Sequence, residues 1–487
     1  MSLKQKTIKG VLWIAIQNWG NQVISFVVFS ILARLLGPEA FGLIALTTVF
    51  LAFMQIFVDQ GFGQAIIQRR NLEPEHLDTA FWTSVVMSVL MMGITCAIAG
   101  YVADFFKQPA LTPVIRWLSL SFLFTGLDSV QSTILSRDLA FKKLAIRSLI
   151  ATILAGSVGI VMAFKGFGVW SLVGQSLVNG VVSVTILWGS TKWRPGFSVS
   201  VRHFKELFMF GINVVGGGIL NFLTRRSDDL LIGYFLGPVA LGYYTVAYRI
   251  LLITSQLMIS TMQRIAMPVF SQLQQEPERL RQMFYSAIQV TSLVAFPTFL
   301  GLSALAPELI TVLFGQKWSA SIPVMQVLNL IGLLYAGFYY NSSLIMAMGK
   351  PAWNLGLNFL QGVGNVIFFL IAVRWGIVAV AAAYVLRGYL TAPIMVWVVH
   401  KALPLNLKQY FQQYAAPLFG SLVMVIVIFG AKYVLVDVVS VKVLLPICIV
   451  LGIAVYAATI FVIAPKLVHR VIDLFRSALP QSRLKKV

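Results

Sequence analysis

Residues 221–229 read Asn-Phe-Leu-Thr-Arg-Arg-Ser-Asp-Asp inside an otherwise apolar stretch, which puts four ionisable side chains within about two helical turns. Arg225 and Asp229 stand i,i+4 and can meet on one helix face. The residue types leave two readings open. The set can neutralise itself and fix helix packing. Alternatively, Arg225, Arg226, Asp228 and Asp229 form the polar wall of a cavity, where a planar guanidinium can hold phosphate oxygens in pairs. Arg249 and Arg387 are lone cations in apolar stretches with no acid within four residues, so each needs a cross-helix acid or an anionic ligand. Asp59 and Asp128 are the candidate acids. Either could instead bind a coupling proton or sodium ion, since carboxylates in cavities serve as relays.

Amides form a second group. Gln17, Asn18, Asn21 and Gln22 fall within about one and a half turns, Gln175 and Asn179 stand i,i+4, and Asn358, Gln361 and Asn365 share one helical face. Hydrogen bonding between helices accounts for such placements, and lining for a hydroxyl-rich ligand is the alternative. Tyr335, Phe338, Tyr339 and Tyr340 read as core or interface aromatics, with stacking against a sugar ring as a second use. The sequence has no Gly-x-x-x-x-Gly-Lys-Ser/Thr phosphate loop and no His-Glu-x-x-His pair, and no loop is long enough to fold as a catalytic domain. His76, His203, His400 and His469 read as scattered loop residues. Cys96 and Cys448 sit in separate apolar runs, which predicts neither a metal centre nor a disulfide.

The elements carrying these residues follow from hydropathy. Hydrophobic residues make up 59% of the chain and charged residues 11%, against about 25% charged in soluble domains, so the chain lacks the polar surface to cover itself in water. A bilayer core takes about 20 apolar residues per helix. Fourteen such spans are expected, at 11–33, 41–66, 79–102, 114–135, 145–164, 168–189, 207–233, 240–264, 284–305, 322–346, 353–373, 376–398, 415–435 and 443–464. The fold class is therefore an all-α polytopic membrane protein. The net charge of +21 reflects basic loops between spans rather than a nucleic-acid surface. With a cytoplasmic N-terminus, and with Arg116, Arg147, Arg264 and Lys432 near span ends counted with the adjoining loops, 25 of the 37 Lys and Arg fall on the cytoplasmic side, 8 outside and 4 within spans, which predicts both termini in the cytoplasm. The basic tail with Arg483, Lys485 and Lys486 then faces anionic headgroups.

An internal repeat organises the spans. Leu-Gly-Pro-Glu-Ala-Phe-Gly at 36–42 recurs as Leu-Gly-Pro-Val-Ala-Leu-Gly at 236–242, and Asn21 aligns with Asn221 at the same offset of 200. At an offset of 208, Lys142 aligns with Lys350, Gly156 with Gly364 and Gly168 with Gly376. Two six-helix lobes of the same orientation are expected, at 1–200 and 201–405, with a path between them; 406–487 adds two helices and the tail.

Ala33-Arg34-Leu35-Leu36-Gly37-Pro38-Glu39-Ala40-Phe41-Gly42, Asp59-Gln60-Gly61-Phe62-Gly63 and Asp228-Asp229-Leu230-Leu231-Ile232-Gly233-Tyr234-Phe235-Leu236-Gly237 carry a family resemblance, together with Leu241-Gly242-Tyr243-Tyr244, Phe314-Gly315-Gln316-Lys317-Trp318 and Gly349-Lys350-Pro351. On these residues the chain resembles Wzx-type exporters in the polysaccharide branch of the multidrug/oligosaccharidyl-lipid/polysaccharide exporter superfamily. The resemblance implies flipping of an undecaprenyl-diphosphate-linked oligosaccharide from the cytoplasmic to the periplasmic leaflet of a bacterial inner membrane, by alternating access and without a cofactor. It also implies a cationic cavity for the diphosphate or acidic sugars, membrane lipids as neighbours and a downstream polysaccharide polymerase machinery as a partner. A peptidoglycan-precursor flippase and an ion-coupled drug antiporter are the alternatives within the superfamily, and a membrane glycan polymerase the alternative outside it. The topology is checked by reporter insertion: alkaline phosphatase should be active at Lys107 and inactive at Trp193, and the reverse pattern would invert the assignment.

Overall fold

In a hydrocarbon layer a backbone N–H or C=O left unpaired costs several kcal/mol, so a spanning chain of this composition must close its hydrogen bonds within helices. The computed structural model describes residues 3–59, 62–68, 73–198, 200–465 and 467, with the side chains of 3–8, 11, 59, 64, 68, 201–214 and 259–265 outside the description. Among the described residues there is no strand. The helices are α1 (Leu3–Leu35), α2 (Pro38–Asp59), α3 (Phe62–Gln68), α4 (Pro74–Phe105), α5 (Leu111–Leu118), α6 (Ser121–Arg137), α7 (Phe141–Phe164), α8 (Trp170–Ser190) and α9 (Val201–Gln272). They continue as α10 (Pro277–Ala304), α11 (Ala306–Leu313), α12 (Ser321–Asn329), α13 (Gly332–Ala347), α14 (Pro351–Ala372), α15 (Ile377–Ala402), α16 (Leu407–Leu435) and α17 (Val441–Ile463). His76 and His400, expected in loops, occupy terminal turns of α4 and α15. The basic tail and His469 lie outside the described residues.

Among the described residues, ten helices are long and apolar enough to cross a membrane, or eleven if α12 and α13, which meet at 47°, form one bent span. One of the ten is Val215–Met258 within α9, whose 44 residues would reach about 66 Å, twice the thickness of a bilayer core. Gly237 breaks it at φ 82 and ψ 178, a backbone conformation that a Cβ would strain, so this stretch holds two spans. The remaining expected spans fall on α1 and on α5 with α6.

The chain divides into two compact units. The first comprises Met1–Thr245 and Gly362–Ile377. Within it α7 packs on α1 and α8, and α4 on α5 and α6. The α2 helix runs antiparallel to the first part of α9. Leu46 meets Gly233, the Phe53 and Phe222 rings lie 5.3 Å apart, and Ile56 meets Gly218. This pairing ends where the two copies of the repeated turn interlock. A Cβ on Gly42 would lie 1.7 Å from the Pro238 carbonyl oxygen, and one on Gly242 would lie 2.0 Å from that of Pro38. The contact is reciprocal, each turn seating its last glycine against the proline of the other, and only a residue without a side chain fits at either place.

The second unit comprises Val246–Gln361 and Val378–Val487. There α10 packs against α12, α13 and α16. The α16 and α17 helices, which lie beyond the expected repeat, share a core of Ala304, Leu305, Met424, Ile428, Leu444 and Cys448. Lys432 of α16 pairs with Glu308 of α11 at 2.8 Å, and Tyr456 of α17 donates to the Leu293 carbonyl at 2.7 Å. Both cysteines are free.

Overpacking a close contact costs about 1–3 kcal/mol. Gly42→Ala and Gly242→Ala should each lower the melting temperature of the purified protein in detergent. Gly93→Ala, where nothing lies within 4 Å, should leave it unchanged or raise it.

Candidate functional site

The acid–arginine stretch of α9 folds into a local network inside the first unit. Asp228 and Asp229 are 4% and 8% exposed. A carboxylate withdrawn from water to that degree must be paired or hydrogen-bonded. Asp228 accepts from the Tyr244 hydroxyl at 2.9 Å and from the Asp229 N–H at 3.0 Å. Asp229 pairs with Arg226 at 3.1 Å. The partner is therefore the i,i+3 arginine, a correction to the expected Arg225–Asp229 pair. Both spacings put side chains on one face, and the rotamers of this helix select the shorter one. Arg225 is exposed and makes no ion pair among the described residues. Asn221 is exposed one turn earlier. Asn365 of α14, buried at 2%, donates through Nδ2 to the Thr224 carbonyl at 2.8 Å, while its Oδ1 has no partner among the described residues. The α9 network thus gathers Arg226, Asp228, Asp229 and Asn365, with Tyr244 as a member that the charge pattern does not reveal.

Two further predicted residues of this unit, Asn21 and Asp128, join neighbouring helices. Asn21 donates to the Ser148 hydroxyl at 2.6 Å and accepts from Thr152 at 3.1 Å, so it joins α1 to α7. Asp128 of α6 forms an ion pair with Arg147 of α7. Arg147 stands at the edge of its span, where a basic residue reads as a topology signal, and its pairing has no local signature. Gln175 packs its Cβ against Gly159 of α7, and Asn179 is half-buried one turn further along α8. Asn358, which belongs to the second unit, is exposed on α14. Asp59 ends α2 and its side chain lies outside the described residues.

A different arrangement surrounds Arg387 in the second unit. This arginine of α15 is 6% exposed, and no carboxylate pairs with it among the described residues. Its guanidinium lies 5.4 Å from the centre of the Tyr384 ring, a cation–π contact, and its Nε is buried without a hydrogen-bond partner among the described residues. Tyr384 is hydrogen-bonded to Tyr335 at 2.9 Å. Tyr339 packs against Tyr335 with ring centres 5.0 Å apart, and Tyr248 packs edge-on to Tyr384 at 6.4 Å. Arg249 is half-buried on the second part of α9, one residue after Tyr248. A buried guanidinium in a ring of phenols offers donors for an anion and flat faces for sugar rings. Tyr335 and Tyr339 belong to this cluster. Tyr340 instead bonds to Thr291 at 2.6 Å in the core.

The helical architecture defines a multi-pass membrane protein whose ionisable groups are held inside spans. The chain belongs to a polysaccharide biosynthesis protein family, whose profile matches residues 31–323. It is 28% identical over 439 residues to the teichuronic acid biosynthesis protein TuaB of Bacillus subtilis, covering 88% of this chain and 90% of that one. It is 26% identical over 444 residues to the lipopolysaccharide biosynthesis protein WzxC of Escherichia coli, covering 89% of each. It is 29% identical over 330 residues to the succinoglycan biosynthesis transport protein ExoT of Rhizobium meliloti, covering 68% of this chain and 67% of that one. Among solved structures its fold resembles that of the lipid II flippase MurJ in an inward closed conformation. The TM-score is 0.77 and the identity 14%, with 94% of this chain and 100% of that one covered.

Removing Arg226 leaves a buried carboxylate without its partner, at a cost of about 1–3 kcal/mol. Arg226→Ala should lower the melting temperature, and Arg226→Ala with Asp229→Ala should recover most of the loss. An additive double variant would show that the pair does not hold the helix.

Proposed function

We propose that the protein moves an undecaprenyl-diphosphate-linked oligosaccharide repeat unit from the cytoplasmic to the periplasmic leaflet of a bacterial inner membrane, for cell-surface polysaccharide assembly. The observation that carries this reading is Arg387, a buried cation with tyrosines around it and no carboxylate partner among the described residues. A permanent charge held in a span is expensive unless an anion visits it. A guanidinium suits a diphosphate because its planar fork meets two oxygens at once. The surrounding phenols offer stacking faces and hydroxyls to the attached sugars.

Arg225, exposed on the same helix as the Asp228–Asp229 network, and Arg249 are the further cations assigned to the headgroup. Arg226 is assigned to positioning, since its charge is engaged by Asp229. Family membership supports the cargo class, as do the names of relatives that serve teichuronic acid, lipopolysaccharide and succinoglycan synthesis. The repeated turns bear on alternating access. Their interlock closes one end of the α2–α9 pair, and a transporter that opens to that side must part them. The proposed energy source is a coupling proton or sodium ion, with Asp59 as the candidate carrier. The excess of basic residues in alternate loops supports cytoplasmic termini.

The test is complementation of a strain lacking the protein, with mass spectrometry of its lipid-linked sugars. Deletion should accumulate an unflipped lipid-linked repeat unit. Arg387→Ala should reproduce that accumulation at a normal level of folded protein, and Arg387→Lys should restore export in part. Normal export by alanine variants at Arg225, Arg249 and Arg387 would overturn the assignment. Loss of long chains while single units still reach the periplasm would point to a polymerase.

A further inference from the structure

A second feature of the C-terminal unit is an apolar slot of about 590 Å³ between α10, α13, α15 and α16. Its walls are aliphatic and aromatic, among them Phe296, Leu334, Pro393, Trp397 and Phe411; α17 contributes nothing to it. Tyr389 and His400, both on the slot, are eleven residues apart along α15. That is about 16 Å of helical rise, half of the ~30 Å hydrocarbon core and therefore one leaflet deep.

One end of the slot is basic. Trp397 lines the slot and carries the Lys401 ammonium 5.3 Å from its ring centre. Trp353 lies under both Lys401, at 5.6 Å, and Lys350, at 4.2 Å. His400 accepts the Leu405 N–H at Nδ1, which leaves Nε2 as the ring's donor at the same end. Neither lysine has a carboxylate partner among the described residues. Tryptophan and lysine together mark the headgroup level of a bilayer. By the loop charges this end belongs to the cytoplasmic leaflet, where anionic lipids are attracted to basic residues.

We propose that the slot holds an acyl chain of an anionic glycerophospholipid of the cytoplasmic leaflet, with its phosphate between Lys350 and Lys401. The inference rests on the orientation given by the basic loops and is independent of the cargo. Three features fit this occupant: the one-leaflet depth, the apolar wall and the paired cations at a single end. The polyprenyl chain of a cargo lipid is much longer than one leaflet, and that occupant is an outcome of the test.

The full-length protein is purified in detergent and offered phosphatidylglycerol, phosphatidylcholine or undecaprenyl phosphate, with retention read by native mass spectrometry. The wild type should retain phosphatidylglycerol several-fold over phosphatidylcholine. Lys350→Gln with Lys401→Gln should erase that preference while leaving the protein folded. Ala392→Trp or Val396→Trp, either of which fills the slot, should abolish retention of both phospholipids. Equal retention of the two phospholipids by the wild type would overturn the proposal. So would undiminished retention in folded slot-filling variants, or displacement of phosphatidylglycerol by equimolar undecaprenyl phosphate. Each readout is lipid binding rather than transport, so failure here is distinguishable from failure of the flippase reading.

Discussion

The structure depends on one constraint: hydrocarbon does not solvate charge. Every ionisable group placed in a span must find its counterpart within the protein or wait for one to arrive. The described charges divide along that line. Asp128 has Arg147, Asp229 has Arg226, Glu308 has Lys432, and Asp228 is held by a phenol and a backbone N–H. These groups tie α6 to α7, stiffen α9 and dock α16 on α11. Arg387 differs in that its neighbours are tyrosines, which can orient a guanidinium without cancelling its charge. The same economy explains why Asn21 is engaged by Ser148 and Thr152, whereas Arg225 stays exposed.

Hydropathy made the helices legible because a spanning helix must be apolar for about 20 residues whatever its neighbours are. The expected spans overlap helices among the described residues, some as helix pairs such as α5 with α6 and α12 with α13, and the Leu-Gly-Pro turns fall between α1 and α2 and at the break in α9. Partners were harder to read. Asn21 and Ser148 are separated by 127 positions, and no local pattern announces their meeting. The choice between Arg225 and Arg226 for Asp229 is a matter of rotamer, and two adjacent arginines hide it. Tyr244 and Tyr384 have no signature as hydrogen-bond partners because phenols in an apolar run look like core, although in hydrocarbon a hydroxyl is a scarce hydrogen-bond donor.

The repeated Leu-Gly-Pro-x-Ala-x-Gly turns gain meaning from their contact. The spacing alone suggested duplication; the reciprocal seating of Gly42 on Pro238 and Gly242 on Pro38 gives the two copies a shared physical task. A glycine at the last position of the motif is what allows two backbones to approach this closely. Gly168 and Gly376, aligned by the second offset, both adopt positive φ, 57° and 92°, in the turns before α8 and α15. Both features are those expected if one hairpin design had been used twice.

The central claim is that the cargo is recognised through its negative charge. The most direct measurement places the purified protein in vesicles with two polyprenyl-linked glycans of the same sugar and chain, one joined through a diphosphate and one through a neutral ether. Passage of each across the bilayer is followed by its loss to an external glycosidase. The account predicts protein-dependent passage of the diphosphate-linked glycan, with the neutral one neither carried nor able to compete. Equal passage of both would contradict it.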